Sequence, residues 1–366
     1  MTWMFDPDMR LLWLALSFGL SCVVTALAIR YARHNKVIDL PGQRRSHTVP
    51  TPRGGGIGIV VCALLGLTAA SHWNTALVLQ WRLAASVGLL ALIGWIDDHR
   101  PLPASVRFLV QFAAVALWLA PLIAQILSQD RVAQLDVSST DLLALTVLLA
   151  LVALWSINLH NFMDGIDGLL ALQAIFVLAV LAWFGLRDPD ATHPLLVGIW
   201  AAAIAGFLPF NFPKARVFMG DVSSGAIGLL IAVAIVWQTS SERIAAATGL
   251  IAVSAFLTDA TCTLLSRMLR GRRWYSAHRE HLYQWMTRTG MSHARVVAWY
   301  MIWNHLIVAP VLWWINRTPE SFAMGYGCAA AVYAAALTLW ICGKRWCERR
   351  VRSRAPLATG ALHASA

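Results

Sequence analysis

LLALTVLLALVALWSINLHNFMDGIDGLLALQAIFVLAVLAWFGL, residues 142–186, decides the fold. Its two ends are apolar runs close to the ~20 residues a helix needs to cross a bilayer. Between them, NLHNFMDGIDGL (158–169) sets two carboxylates, two carboxamides and a histidine. Such groups are costly in hydrocarbon unless they sit at the membrane edge or line a wet cavity. The stretch therefore predicts two spanning helices joined by a short turn rich in chemistry.

The rest of the chain repeats the pattern. Hydrophobic residues make up 58% of its 366 positions, charged residues only 13%, and mean hydropathy is +0.62. Eleven apolar runs are readable, at about 11–29, 55–71, 83–96, 106–127, 142–158, 168–186, 194–210, 224–237, 244–265, 296–315 and 321–343. The expected fold is all-α, a polytopic membrane protein with about eleven transmembrane helices. The first run is not expected to be a cleaved signal, because basic residues follow it where a small-residue cleavage site would stand. Residues 1–343 read as one membrane-embedded domain and 344–366 as a basic cytoplasmic tail, partly disordered and small and polar beyond Pro356.

Loops on one side hold 23 of the 29 Lys and Arg, so that side is assigned to the cytoplasm, with the N-terminus outside and the C-terminus inside. The same bias accounts for the +11 net charge without nucleic acid, and adds attraction to anionic lipid. The six scattered cysteines form no CxxC pair and read as small apolar fillers. Tryptophans near run ends (Trp73, Trp81, Trp183, Trp237, Trp313, Trp314) suit an interfacial belt.

Five polar clusters then fall on the cytoplasmic side. In VIDLPGQRRSHTVPTPRGGGIGI (37–59), Arg44, Arg45, His47 and Arg53 supply cations, and Gly54–Gly56 permit close backbone approach. This segment reads either as a basic turn or as a phosphate-facing loop. LIGWIDDHRPL (92–102) ends a span on the adjacent acids Asp97 and Asp98, whose repulsion a divalent cation would relieve. Asn158, Asn161, Asp164 and Asp167 recur every third residue and so share one helical face, with no Lys or Arg between 132 and 186 to pair them. NFPKARVFMGDVSSGAIGL (211–229) carries Asp221 either as a helix N-cap or as a ligand. RRWYSAHREHLYQ (272–284) gathers Arg272, Arg273, His278, Arg279 and His281; its HxxH spacing lacks the further ligands a zinc site needs. Asp259, inside a span, reads as pairing with Arg267 two turns on. Carboxylates and cations on one face fit a Mg²⁺-bridged phosphate or pyrophosphate, and the bilayer edge implies that one reactant is a lipid. A lipid or anion transporter would instead place acids near mid-bilayer, where only Asp259 falls.

From Asp39 to Gln284 the DD pair, NxxNxxDGxDGL, PxARxFMGD and the histidine loop together resemble the polyprenyl-phosphate N-acetylhexosamine-1-phosphate transferases. That superfamily includes the phospho-MurNAc-pentapeptide translocase. AHREHLYQ (277–284) is similar to the branch that starts O-antigen and other surface-polysaccharide lipids, and lacks the consecutive histidines of the peptidoglycan enzyme. The resemblance implies transfer of a sugar 1-phosphate from a UDP-N-acetylhexosamine to undecaprenyl phosphate, releasing UMP at the cytoplasmic face of a bacterial inner membrane. Mg²⁺ would be the cofactor, with Mn²⁺ a substitute, and a homodimer is left open. By motif, Asp97 and Asp98 would be the catalytic pair, and Asp221 with Asp98 would bind the metal. Asn158, Asn161, Asp164, Asp167, His278, Arg279, His281, Arg45 and His47 would bind substrate. Ser223 stands where the family commonly has glycine, which raises the question of a positive φ in that loop.

Overall fold

A computed structural model describes residues 7–40, 49–73, 80–127, 138–185, 192–240, 246–273, 278–317 and 322–354. Fourteen α-helices are present among them: α1 (Pro7–His34), α2 (Ile57–Trp73), α3 (Gln80–His99), α4 (Ala104–Leu127), α5 (Ser139–Phe162), α6 (Leu169–Gly185) and α7 (Thr192–Asn211) in the first half. The second half holds α8 (Asp221–Ser240), α9 (Ala246–Ala252), α10 (Ser254–Leu269), α11 (Leu282–Arg288), α12 (His293–Trp303), α13 (Ala309–Ile315) and α14 (Phe322–Arg354). A π-helical turn, Asn304–Val308, joins α12 to α13. The described strands are β1 (Ile38–Asp39) and β2 (Thr51–Pro52), antiparallel, with Ile38 opposite Pro52.

The chain is an all-helical, multi-pass membrane protein apart from that ribbon. Each of the eleven apolar runs falls mainly on helix among the described residues, and seven of the helices there are long and apolar enough to cross a membrane. The shortfall has a physical cause. Helices α2 and α6 are apolar but only 17 residues long, α3 carries Arg82, Asp97 and Asp98 toward its ends, and the ninth run is divided at Val253 into α9 and α10.

Helix α8 is the axis of the bundle. Every residue from Val222 to Ala234 is buried, as expected of a helix that is apolar all round. It packs against α5, α3 and α6, while α7 packs against α1, α2 and α6. Outward faces such as Leu143, Leu148 and Leu151 of α5, with Trp81, Trp183 and Trp313, remain exposed for lipid. Because α8 begins at Asp221, its N-terminus is the point toward which α3, α5 and the β ribbon converge.

Helix α14 continues without a break to Arg354, so the basic segment from 344 onward starts as helix. The rest of the expected tail lies outside the described residues, as do Arg44, Arg45 and His47.

Candidate active site

The β ribbon and the loop before α8 are joined through backbone. Phe218 N donates to Pro52 O (2.8 Å), and the amides of Gly55 and Gly56 donate to Phe218 O and Met219 O (3.0 Å each). The glycine amides, candidates for phosphate binding in the sequence, are thus engaged by the fold. What this joint presents to the site is Arg53, whose Nε lies 3.6 Å from Asp98 Oδ1.

Asp98 is the pivot. Its side chain is 1% exposed. Oδ1 accepts from Asp221 N (3.2 Å) and Oδ2 from Val222 N (3.3 Å), so the end of α3 caps the start of α8. Gly94, one turn earlier on α3, abuts the Asp221 backbone, and a methyl group there would overlap it. Asp97 faces another way. Its Oδ1 accepts from Leu102 N (2.7 Å) and its Oδ2 lies 3.2 Å from Arg107 Nη1. The same Nη1 lies 3.2 Å from Asp221 Oδ2, so one guanidinium bridges Asp97 and Asp221. Asn161 completes the set, donating from Nδ2 to Asp221 Oδ1 (3.0 Å) and Ser224 Oγ (2.9 Å).

The remaining predicted residues separate. Asn158 donates to Gln111 Oε1 and Leu154 O (2.8 Å each), so it faces α4. Asp164, in the turn after α5, is partly buried among acids. Burial first, then the charge of Asp221, holds its carboxyl well above the usual range, with Arg53 acting in opposition. Asp167 is tied to structure: Oδ2 accepts from Ala215 N (3.1 Å) and lies 3.2 Å from His293 Nδ1. Burial, aided by His281 and Arg267, pushes the His278 imidazole down to about 4, so it is neutral near pH 7.

The expected Asp259–Arg267 pair is not formed. Arg267 instead pairs with Glu280 and donates to Arg273 O (2.8 Å), bending the chain back toward α10. Two turns along a helix do bring residues onto one face, but the returning loop offers Arg267 a nearer acid. Glu280 also pairs with Arg272 (3.0 Å).

Two adjoining cavities result. One, of about 230 Å³, is polar and lined by Asp39, Arg53, Asp164, Asp167, Asn211 and Arg279. The other, of about 730 Å³, is largely apolar and runs between α3, α4, α5 and α10, past Arg107, Phe108, Leu151, Trp155, His278 and His281. Asn161, Asp221 and Gln284 line both. Arg107, Asn211 and His293 were not singled out from the sequence. Arg107 and Asn211 act across more than 40 positions, and His293 lies 126 from Asp167. No spacing motif can encode contacts so distant.

Ser223 needs no positive φ. It lies in the first turn of α8, and Lys36 is the non-glycine residue with positive φ among those described. Its buried hydroxyl has no partner among the described residues and presses on Gly56, where a methyl group would overlap both Oγ and Cβ of Ser223. Gly56→Ala is therefore expected to lower the melting temperature of the detergent-solubilised protein by roughly 5 °C or more, as overpacking costs about 1–3 kcal/mol. Adding Ser223→Gly should restore most of it. Equal melting of the single and double variants would refute this contact.

Residues 80–239 match the glycosyl transferase family 4 model. The chain is 29% identical over 339 residues to a decaprenyl-phosphate N-acetylglucosaminephosphotransferase of Mycolicibacterium smegmatis, covering 84% of this chain and 82% of the relative. It is 30% identical over 306 residues to the protein of that name in Mycobacterium tuberculosis, 74% of each. It is also 30% identical over 246 residues to a phospho-N-acetylmuramoyl-pentapeptide-transferase of Synechococcus elongatus, 63% of this chain and 66% of the relative.

Proposed function

The chain belongs to the polyprenyl-phosphate N-acetylhexosamine-1-phosphate transferases of glycosyl transferase family 4, and we propose that it uses a UDP-N-acetylhexosamine and undecaprenyl phosphate. The observation that carries this reading is the pair of cavities, one polar and one apolar, meeting at Asn161, Asp221 and Gln284. A nucleotide diphosphate sugar suits the first and a polyprenyl chain the second, so the two phosphates would meet beside Arg107 and Asp221. The N-acetylglucosamine in the relatives' names makes UDP-N-acetylglucosamine the first donor to test, and the likeness of AHREHLYQ (277–284) to the polysaccharide-initiating branch supports surface-polysaccharide lipid synthesis as the pathway class. The eleven apolar runs support eleven spans, and the bias of Lys and Arg supports an N-terminus outside and a site at the cytoplasmic face of the inner membrane.

A divalent cation fits the donor set. Asp164 sits, partly buried, beside Asp221, Asp98 and Asp167, with fewer cations than carboxylates around it. Among the described residues no three acids or histidines form a finished coordination shell. Asp98 is engaged by two backbone amides, so Asp221 and Asp164 would hold Mg²⁺, with Asp98 fixing the position of Asp221. When bound, the ion would neutralise charge on the pyrophosphate and on departing UMP.

The reaction is a single displacement. An oxygen of the lipid phosphate attacks the sugar-linked phosphorus, a new P–O bond forms, and the bond to the UMP phosphate breaks. Arg107, already placed between Asp97 and Asp221, orients the attacking phosphate, and Arg53 and Arg279 hold the donor's phosphates. Charge-assisted contacts of this kind do most of the work in phosphoryl transfer. The test is UMP release from membranes supplied with undecaprenyl phosphate and a panel of UDP-N-acetyl-sugars, with and without EDTA. UMP should appear with at least one donor, vanish with EDTA and return with excess Mg²⁺. No UMP with any donor overturns the function, and EDTA-insensitive release overturns the metal.

A further inference from the structure

Asp259 lies in α10, 2% exposed, at a depth where an acid is costly, and no substrate cavity of the proposed reaction includes it. Its carboxylate is nonetheless the most heavily hydrogen-bonded in the site's surroundings. Oδ1 accepts from Leu282 N (2.8 Å), Trp340 Nε1 (3.0 Å) and Thr263 Oγ1 (3.3 Å). Oδ2 accepts from Tyr300 Oη (2.7 Å) and Tyr283 N (3.4 Å). One side chain thus ties α10 to α11, α12 and α14.

Two of those donors are the first amides of α11, immediately after the histidine loop. Tyr283 carries the restraint further. Its hydroxyl donates to Phe162 O (2.9 Å) and accepts from Gln284 Nε2 (3.0 Å). It also rests on Gly165, where any β-carbon would collide with it. The His281 ring stacks on Tyr283, with centroids 5.8 Å apart and planes inclined by 17°, and also neighbours Phe162. A continuous set of contacts therefore runs from Asp259 through Tyr283 to both walls of the cleft: His278 to Gln284 on one side, Phe162 to Asp164 on the other.

We infer that Asp259 is a positioning residue. It touches no substrate, and it sets the distance between the histidine loop and the NLHNFMDG turn through the backbone of Leu282 and Tyr283. This rests on the transferase reading for its catalytic consequence, while the positional part stands on geometry alone. Asparagine at 259 keeps one acceptor oxygen and turns an amide NH₂ toward the donors, so it releases part of α11 without leaving a void.

The experiment uses the full chain in detergent with Asp259→Asn, Tyr300→Phe and His281→Ala, alone and in pairs. Hydrogen–deuterium exchange at the Leu282 and Tyr283 amides is expected to rise at least 10-fold in Asp259→Asn, and less in Tyr300→Phe. UMP release from UDP-N-acetylglucosamine should fall at least 10-fold in kcat for Asp259→Asn, with Asp259→Glu restoring part. Asp259→Asn combined with His281→Ala should be no slower than His281→Ala alone, because both disturb one unit. Unchanged exchange in both Asp259→Asn and Tyr300→Phe overturns the positional role, and multiplicative losses in kcat overturn its route through the loop. Should Asp259→Asn not fold, Tyr300→Phe decides by the same two readouts, since it deletes a single donor. Wild-type protein that releases no UMP defeats the transferase reading, and the exchange result is unaffected by it.

Discussion

Arg107→Ala is expected to lower UMP release by ~100-fold or more while leaving the protein folded, as removal of one preorganised donor at a developing charge typically does. Two effects compete in this substitution. Structurally, it breaks contacts of 3.2 Å to Asp97 and to Asp221, but the Arg107 side chain is 36% exposed. Ion pairs that wet contribute about 0–1 kcal/mol each, so the melting temperature should move by only a few degrees. Chemically, the loss is larger. Arg107 lines the apolar cavity at its polar end, beside Asn158 and Asn161, with Nε buried and without a partner among the described residues. That leaves a donor ready for the incoming lipid phosphate. Arg107→Lys keeps the charge and loses the fork, so it should recover only part of the rate. UMP release and thermal melting measured on the same preparations separate the two effects. Activity within 3-fold of wild type would make Arg107 a strut between α4 and α8 and nothing more.

Much of this site was legible because helical spacing acts over short distances. The three-residue recurrence of Asn158, Asn161, Asp164 and Asp167 does place Asn161, Asp164 and Asp167 at the polar cavity. The turn of α5 into the loop at Met163, however, sends its four members to different partners. Asn158 bonds Gln111 on α4, and Asp167 holds Ala215 and neighbours His293. The adjacent aspartates read as a repelling pair, yet each is satisfied separately, Asp97 by Arg107 and Asp98 by the start of α8. Tertiary placement supplied the cations that local sequence lacked. Asp259 shows the limit most clearly: helix periodicity offered Arg267, while its true partners lie at 282, 283, 300 and 340. The span count rests on a related signal. Hydropathy measures greasiness and not length, so it counts α2, α6 and the divided α9–α10 as spans alongside the seven described helices that are both long and apolar.

Asp221→Asn and Asp98→Asn are expected to fail in opposite ways, although both remove one acid from the same few ångströms. Asp98 accepts from two α8 amides while 1% exposed. Asparagine offers one acceptor, so a buried N–H loses its partner at a cost of about 1–3 kcal/mol. The melting temperature should fall by roughly 3–10 °C, and activity with it. Asp221 is met by side chains, Arg107 on Oδ2 and Asn161 on Oδ1, and among the described residues no backbone group donates to its carboxylate. It also sits among Asp97, Asp98 and Asp164, where acids crowd one another. Removing its charge forfeits part of the Arg107 pairing and relieves that crowding, two effects of similar size and opposite sign. Asp221→Asn should therefore melt within a few degrees of wild type. Its UMP release should drop about 10³-fold, on the order of 4 kcal/mol of transition-state stabilisation, and should no longer respond to added Mg²⁺. Functional acids are commonly held at the expense of stability, and this pair separates such an acid from one that builds the fold. An Asp221→Asn protein that melts as early as Asp98→Asn, or that keeps a tenth of the activity, would return Asp221 to the role of an N-cap and leave the metal without its principal ligand.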